Sequence, residues 1–152
     1  HWAGLILPSV AVAQGATITS AYLYYKVVNA ARDDPDQTWY AQAADNAAVL
    51  TTTASDITNR SRTTASVADS TTNIGTSSYR QITITSLIAE VVARPGWASG
   101  NNMALIGDCG AGVALEFGAY DTGSNIWYVE INYTTGGGVP LMATHYRKLM
   151  SG

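Results

Sequence analysis

Residues 88–108 place the end of a short helix, a sharp corner and a core strand directly after one another. Four apolar residues recur at helical spacing: Leu87, Ile88, Val91 and Val92. Pro95 and Gly96 follow at the point where such a helix must end. Two alternating sets then predict a strand: Met103, Leu105 and Gly107 on one face, and Ala104 and Ile106 on the other. A corner this tight is typical of a scaffold and not of an active site.

Strand patterns cover most of the remaining chain, at residues 3–7, 16–28, 37–44, 63–67, 79–84, 113–118 and 126–134. In the longest of them Ala21, Leu23, Tyr25 and Val27 alternate with Tyr22, Tyr24 and Lys26, and we expect the first set to face the core. Residues 37–44 place Trp39, Ala41 and Ala43 on one face, and a helical turn is predicted at residues 55–59. The pattern predicts an all-β fold, an antiparallel β-sandwich of jelly-roll type with one short helix near residues 86–94.

The 152 residues are one domain's worth of chain. We expect residues 1–135 to form the sandwich and residues 136–152 to form a glycine-rich joint and a C-terminal tail. Only 12% of residues are charged and the net charge is -3, so no basic field for nucleic acid is expected. No apolar run is long enough to predict a membrane span. The single cysteine, Cys109, is predicted to be a small buried residue.

Five motifs in order carry a resemblance to a known family: GATITSAYL at 15–23, ADNA at 44–47, SRTTASV at 61–67, EVVARPGWASG at 90–100 and YVEINY at 128–133. Together they resemble a jelly-roll module of bacterial extracellular and bacteriophage structural proteins, related in pattern to DNRLRE-type and carbohydrate-binding-like sandwiches. The resemblance implies the fold and a non-catalytic accessory role. Relatives usually carry two further strands before residue 4, so we expect a neighbouring chain or a longer protein to supply edge strands. Where relatives often have Gly-Glu-Asp, this chain has Ala41, Gln42 and Ala43.

Tyrosines on predicted non-core faces are the main candidates for a binding surface. The predicted interface or ligand face comprises Tyr22, Tyr24, Tyr40, Gln42 and Tyr128, accompanied by Glu130. Flat aromatic rings beside amides and carboxylates stack on sugars or anchor protein interfaces. The alternative is that tyrosine simply favours strands. The tail offers a second docking element through Leu141, Met142, Leu149 and Met150.

Metal and catalytic sets are weaker alternatives. Asp33, Asp34 and Asp36 could hold calcium, although clustered Asp beside Pro is first of all turn chemistry. His1 could chelate copper with His145 and Tyr146 as in lytic polysaccharide monooxygenases. The acidic residues Asp108, Glu116, Asp121 and Glu130 show no paired catalytic arrangement, and no nucleophile elbow, phosphate loop or zinc spacing is present. We therefore expect no enzyme activity and no cofactor.

The leading functional hypothesis is a structural or assembly module of a virion or extracellular surface, such as a capsid or tail accessory or a filament subunit. Its partners would be neighbouring copies or other virion and surface proteins. The alternative is a carbohydrate-binding or adhesion module, for which glycans would be the ligands.

Overall fold

The computed structural model describes residues 2–29, 37–51, 53, 55–70, 79–110, 116–117, 127–136 and 140–147. In this part of the chain the elements are β1 (Trp2–Leu7), β2 (Thr17–Tyr25), β3 (Val27–Asn29), β4 (Gln37–Ala41), β5 (Val67–Asp69), β6 (Arg80–Thr83), α1 (Thr85–Val92), β7 (Met103–Asp108), β8 (Glu116–Phe117), β9 (Trp127–Thr134) and β10 (Pro140–Arg147).

Two four-stranded antiparallel sheets form the body of the protein. The first sheet has the order β1-β7-β4-β5 and the second has the order β10-β9-β2-β6, while β3 and β8 form a separate short pair. The chain crosses from the first sheet to the second between β1 and β2 and crosses repeatedly afterwards. The main hydrophobic core draws residues from both sheets and from the helix. The prediction of an all-β antiparallel sandwich with one short helix is confirmed.

The core between the sheets follows the alternation read from the sequence. On β9 the buried residues are Trp127, Val129, Ile131 and Tyr133, and on β2 they are Ala21, Leu23 and Tyr25. Tyr25, Trp39 and Trp127 form an aromatic cluster whose ring centroids lie 5.1–6.2 Å apart. Trp39 packs directly on Gly107, where an added Cβ would come within 2.9 Å of the indole ring. A side chain at Gly107 would therefore displace the largest ring of the core.

The outer face of the first sheet is covered by the chain segment that follows β4. Residues on this face and in the covering segment form a second apolar cluster: Ile6, Ala47, Leu50, Ile57, Ala104 and Ile106. A Cβ at Gly4 would lie 2.8 Å from Cδ1 of Leu50, so the absence of a side chain on β1 lets the segment approach closely. Strand β7 is consequently buried on both of its faces.

Arg60 holds this covering segment in place. Its guanidinium donates to the Asp56 carboxylate, to Oε1 of Gln42 at 2.8 Å, and to the carbonyl oxygens of Ala48 and Val49 at 2.7 and 3.0 Å. The Arg60 side chain is only 7% exposed. The helical turn predicted at residues 55–59 is confirmed by a hydrogen bond from the Asn59 amide to the Ser55 carbonyl.

Helix α1 and Trp97 close one end of the sandwich. The four predicted helix residues are all buried, and Trp97 Nε1–H donates to the Val12 carbonyl at 2.9 Å. The outward Glu90 carboxylate accepts the backbone N–H groups of Thr64 and Ala65. Because these donors are taken by a side chain, the strand predicted at residues 63–67 begins only at Val67.

Three other sequence predictions differ from the structure. The strand predicted at residues 16–28 divides at Lys26, where β3 leaves the second sheet to pair with β8. Strand β4 ends at Ala41, and beyond it Gln42 makes a single bridge to Arg62, which leaves Ala43 outside the sheet. A joint and a tail were expected after residue 135, but Pro140–Arg147 pair along all of β9. The unpaired edge of β9 explains this difference, because its backbone groups gain hydrogen-bond partners from β10.

Candidate functional site

The outer face of the second sheet carries three of the predicted tyrosines side by side. In the register of β2 and β9, Tyr24 lies opposite Tyr128 and Tyr22 lies opposite Glu130. All of them alternate with buried core residues, so they share the face that points away from the core. We call this surface, with Tyr79 and Gln81 of the neighbouring β6 segment, the tyrosine face.

The rings of the tyrosine face contact one another. Tyr24 and Tyr128 are stacked, with ring centroids 4.4 Å apart and planes 11° apart. Tyr22 meets Tyr24 edge-on at 6.4 Å, and Tyr79 meets Tyr128 edge-on at 5.7 Å. Tyr24 and Tyr128 are a cross-strand pair, and such aromatic pairs stabilise a sheet by roughly 0.2–1 kcal/mol each. The four rings therefore form an ordered apolar patch on the outside of the protein.

Polar groups border these rings. Gln81 Nε2 donates to the Tyr24 hydroxyl at 2.9 Å, and Asn132 Nδ2 donates to Oε1 of Glu130 and to Oγ of Ser20, both at 3.1 Å. Burial raises the pKa of Tyr24, and the charges of Glu130 and the neighbouring tyrosines add to that increase. Glu130 forms no ion pair with a described residue, so its carboxylate contributes a negative charge to the tyrosine face.

Strand β10 extends the same sheet at its edge. Met142 lies opposite Asn132 in register and is 67% exposed, and Leu141 is 43% exposed. These two predicted docking residues thus belong to an edge strand beside the tyrosine face. The other two, Leu149 and Met150, lie outside the described residues.

Tyr40 and Gln42 do not belong to the tyrosine face, although the sequence grouped them with it. Tyr40 occupies an outward-facing position of β4, and Gln42 continues the same alternation just beyond that strand. Both therefore lie on the outer side of the first sheet, on the opposite side of the sandwich. Gln42 is engaged by Arg60. Tyr40 lies under the guanidinium of Arg62, whose Cζ is 5.4 Å from the Tyr40 ring centroid and 4.3 Å from that of Trp2. We call Trp2, Tyr40 and Arg62 the arginine platform.

Sequence reasoning missed four residues of these two surfaces. Tyr79 and Gln81 alternate with the buried Ile82 side of β6, so the period of the predicted strand could have placed them on the tyrosine face. Trp2 and Arg62 gave no comparable signal. They are 60 residues apart in sequence, and only the folding of the segment after β4 brings them together.

A third polar group lies at the β5 and β6 edge. Asp69 accepts hydrogen bonds from the Tyr25 hydroxyl at 2.8 Å and from Arg80 Nε at 2.6 Å, and Arg80 Nη2 also pairs with its other oxygen. Burial and the Asp69 charge raise the pKa of Tyr25. The Asp69 carboxylate on β5 is therefore bonded to partners on β2 and β6, so it links the first sheet to the second.

Cys109 is buried as predicted. Burial raises the pKa of its thiol to about 11, so the thiol stays protonated at neutral pH. Asp33, Asp34 and Asp36, as well as His1, lie outside the described residues. The part of the chain that the structure describes contains no group of three His, Cys, Asp or Glu side chains placed to hold a metal ion. None of its helices has the length and apolar character needed to cross a bilayer.

Comparison of the chain with protein-family models, with curated proteins and with solved structures found no match. The resemblance to DNRLRE-type and carbohydrate-binding-like modules therefore stays a prediction from the sequence.

Proposed function

We propose that the chain is a non-enzymatic assembly module of a virion or extracellular surface, and that its tyrosine face binds neighbouring copies of the same protein. The observation that carries this proposal is an ordered patch of four tyrosine rings on an otherwise regular sheet, beside an edge strand with exposed Leu141 and Met142. Tyrosine is enriched at protein interfaces because one ring combines a large apolar area with a polar end.

The stacking of the rings favours a protein partner over a sugar. A pyranose binds to an aromatic side chain by covering the flat face of the ring. In the Tyr24 and Tyr128 pair, one face of each ring already covers the other ring. The patch presents edges and hydroxyl groups in addition to flat surface, and a side chain of a neighbouring protein can contact all of these.

Edge strand β10 supports the same proposal. An edge strand offers unpaired backbone donors and acceptors along its outer side, and soluble proteins usually protect such edges with charge or a cover. On β10, Met142 is instead exposed on the side of the tyrosine face, and Leu141 is exposed on the other side of the strand, in register with Tyr133. The low fraction of charged residues, 12%, suits a surface that lies against other surfaces.

A carbohydrate-binding or adhesion role is the second candidate. Amide and carboxylate groups stand directly beside the rings, with Gln81 bonded to the Tyr24 hydroxyl and Glu130 in register with Tyr22. Such groups orient the hydroxyls of a sugar when an aromatic ring supports it.

Light scattering and negative-stain electron microscopy of the purified chain test the proposal. We expect particles larger than the monomer for the wild type and a shift towards monomer for Tyr128→Ala. The matched control is Val49→Ala, which shortens an exposed apolar side chain on the covering segment of the first sheet. A glycan array is run in parallel on the same three proteins.

The outcomes separate the two functions. Assemblies that Tyr128→Ala weakens and Val49→Ala leaves intact support the assembly module. A monomeric wild type that binds glycans through Tyr128 overturns it in favour of the adhesion module. A monomer without glycan binding overturns both, and the rings then serve only to stabilise the sheet.

A further inference from the structure

The tyrosine face and the arginine platform lie on opposite sides of the sandwich. The two sheets pack face to face around one core, so their outer faces point in opposite directions. In the described part of the chain, each outer face presents aromatic rings together with a charged side chain that forms no ion pair. On the tyrosine face this charge is Glu130, and on the first sheet it is Arg62.

Arg62 is arranged as a binding group. Its guanidinium is held over Trp2 and Tyr40, at 4.3 and 5.4 Å from the ring centroids, while the residue itself is exposed. Contact with two rings restricts the guanidinium while the residue stays exposed, which lowers the entropy cost of binding a carboxylate. Arg62 forms no ion pair with a described residue. The other arginines of the same region differ, since Arg60 is bound to Asp56 and Arg94 to Asp45.

Glu130 has the complementary arrangement. It is half-buried among tyrosine rings and Asn132 holds one of its oxygens at 3.1 Å, so the carboxylate is fixed in position without being neutralised. Its field also contributes to the raised pKa of Tyr24. A planar carboxylate accepts a planar guanidinium through two parallel hydrogen bonds, and aromatic neighbours on both sides exclude water from such a pair.

We propose that the partner of the tyrosine face is the arginine platform of a second copy of this chain, with Arg62 of one copy bound to Glu130 of the next. This inference rests on the proposed assembly function and names its partner and its geometry. Because the two surfaces differ, the contact is heterologous. After one contact each copy keeps one unused surface and the pair keeps one of each kind, so the assembly grows into a ring or a filament.

The opposite charges of Glu130 and Arg62 also determine which surfaces can pair. Two tyrosine faces brought together would oppose two Glu130 carboxylates, and two platforms would oppose two Arg62 guanidinium groups. Like charges facing each other across an interface are strongly unfavourable. The pairing of unlike faces is therefore selected over either symmetric dimer.

A charge-exchange experiment on the full chain tests this arrangement. Arg62→Glu and Glu130→Arg are prepared singly and together, and self-association is followed by sedimentation velocity across a concentration series. We expect each single variant to weaken self-association by at least about tenfold, because like charges now meet at every contact. An equimolar mixture of the two single variants should recover association, since each altered face then meets its complement. The double variant should recover it alone.

Controls keep the result specific. Ala98→Glu combined with Ser99→Glu changes the net charge by the same two units as Arg62→Glu, at exposed positions beyond the helix. This control should associate like the wild type. Thermal melts confirm that each variant is folded, and raising the ionic strength should weaken the wild-type association.

Failure of the inference is distinct from failure of the proposed function. If the wild type assembles and Tyr128→Ala weakens it, but the mixed variants do not recover association, the proposed pairing is overturned and the assembly function stands. Single variants that associate as well as the wild type overturn the pairing in the same way. A wild type that stays monomeric overturns both.

Discussion

The two outer faces of the sandwich have the same alternating strand pattern, but one face is covered by the chain and the other is exposed. On the first sheet, Ile106 and its neighbours are buried beneath the segment after β4. On the second sheet, the outward positions of β2 and β9 carry tyrosine and polar residues, and no described segment covers them. The outer face of a sheet is either covered by another segment of its own chain or carries residues that are stable both in water and against a binding partner.

The residues on each face match its state. The covered face uses small and aliphatic residues, including Gly4, which lets Leu50 pack against the strand backbone. The bare face uses Tyr22, Tyr24 and Tyr128, and each of these side chains combines an apolar ring with a hydroxyl group that can hydrogen-bond to water or to a partner. On the first sheet the cover buries Ile106 and its neighbours and leaves Arg62 of the arginine platform exposed, whereas the second sheet keeps its row of tyrosines uncovered by any described residue.

The largest difference in stability between variants of the two faces is expected for a substitution at the centre of the covered face. Ile106→Ala should lower the free energy of unfolding by about 2–5 kcal/mol, because it opens a cavity beneath a fully buried side chain. Chemical denaturation measures this value. Ile106→Val serves as the control and should cost only about 0.5–1.5 kcal/mol. A loss below 1 kcal/mol for the alanine variant would mean that the covering segment does not exclude water.

The next effect concerns the attachment of the covering segment. Arg60→Met keeps most of the aliphatic stem and removes the bonds to Asp56, Gln42 and two carbonyls. We expect a loss of about 1–3 kcal/mol, because the change removes a nearly buried charged donor and its hydrogen bonds to four groups, together with faster hydrogen exchange in residues 47–51 and 55–57. Arg94→Met is the control, because its ion pair with Asp45 is exposed and such pairs contribute about 0–1 kcal/mol. Equal losses in both variants would contradict a special role for Arg60.

The same attachment should weaken in acid. Hydrogen bonds from Arg60 and from the Thr51 amide lower the pKa of Asp56 in the folded protein below its unfolded value. A lowered folded pKa stabilises the protein above the unfolded pKa of about 3.9, and this contribution is lost as the pH falls through the folded pKa. Urea titrations between pH 7 and pH 2 should therefore show the stability gap between wild type and Arg60→Met shrinking below about pH 4. A constant gap would exclude Asp56 as the partner responsible.

The smallest effect is expected on the bare face. Tyr22→Ala should change the free energy of unfolding by no more than about 1 kcal/mol, because it removes one edge-on ring contact and opens no core cavity. The measurement is the same denaturation experiment. A loss as large as that of Ile106→Ala would show that the tyrosines are part of the stabilising core, and the contrast between the faces would disappear.

Much of the fold could be read from local patterns. The alternation on β2 identified its buried residues, and the helical spacing from Leu87 to Val92 identified α1. Each of these depends on residues near in sequence. The pairing of Pro140–Arg147 along β9 was not foreseen, because the run PLMATHYR after three glycines shows no clear alternation of apolar and polar residues.

The candidate site was only partly accessible to the same reasoning. Alternation correctly placed Tyr22, Tyr24 and Tyr128 on a face away from the core. It placed Tyr40 with them because a period of two distinguishes inside from outside and says nothing about which sheet a strand joins. The neighbours of Tyr40, Trp2 and Arg62, come from distant parts of the chain.

The sequence by itself determined which residues of β2 and β4 point inwards, where the helix lies and that tyrosines occupy outward positions. These properties follow from backbone geometry, which repeats every two residues in a strand and every 3.6 in a helix. Only the tertiary structure decided which outer face is covered and which charges remain exposed. Those outcomes depend on contacts such as Gly4 with Leu50 and Arg60 with the Ala48 carbonyl, which exist only once the chain after β4 has folded back onto the first sheet.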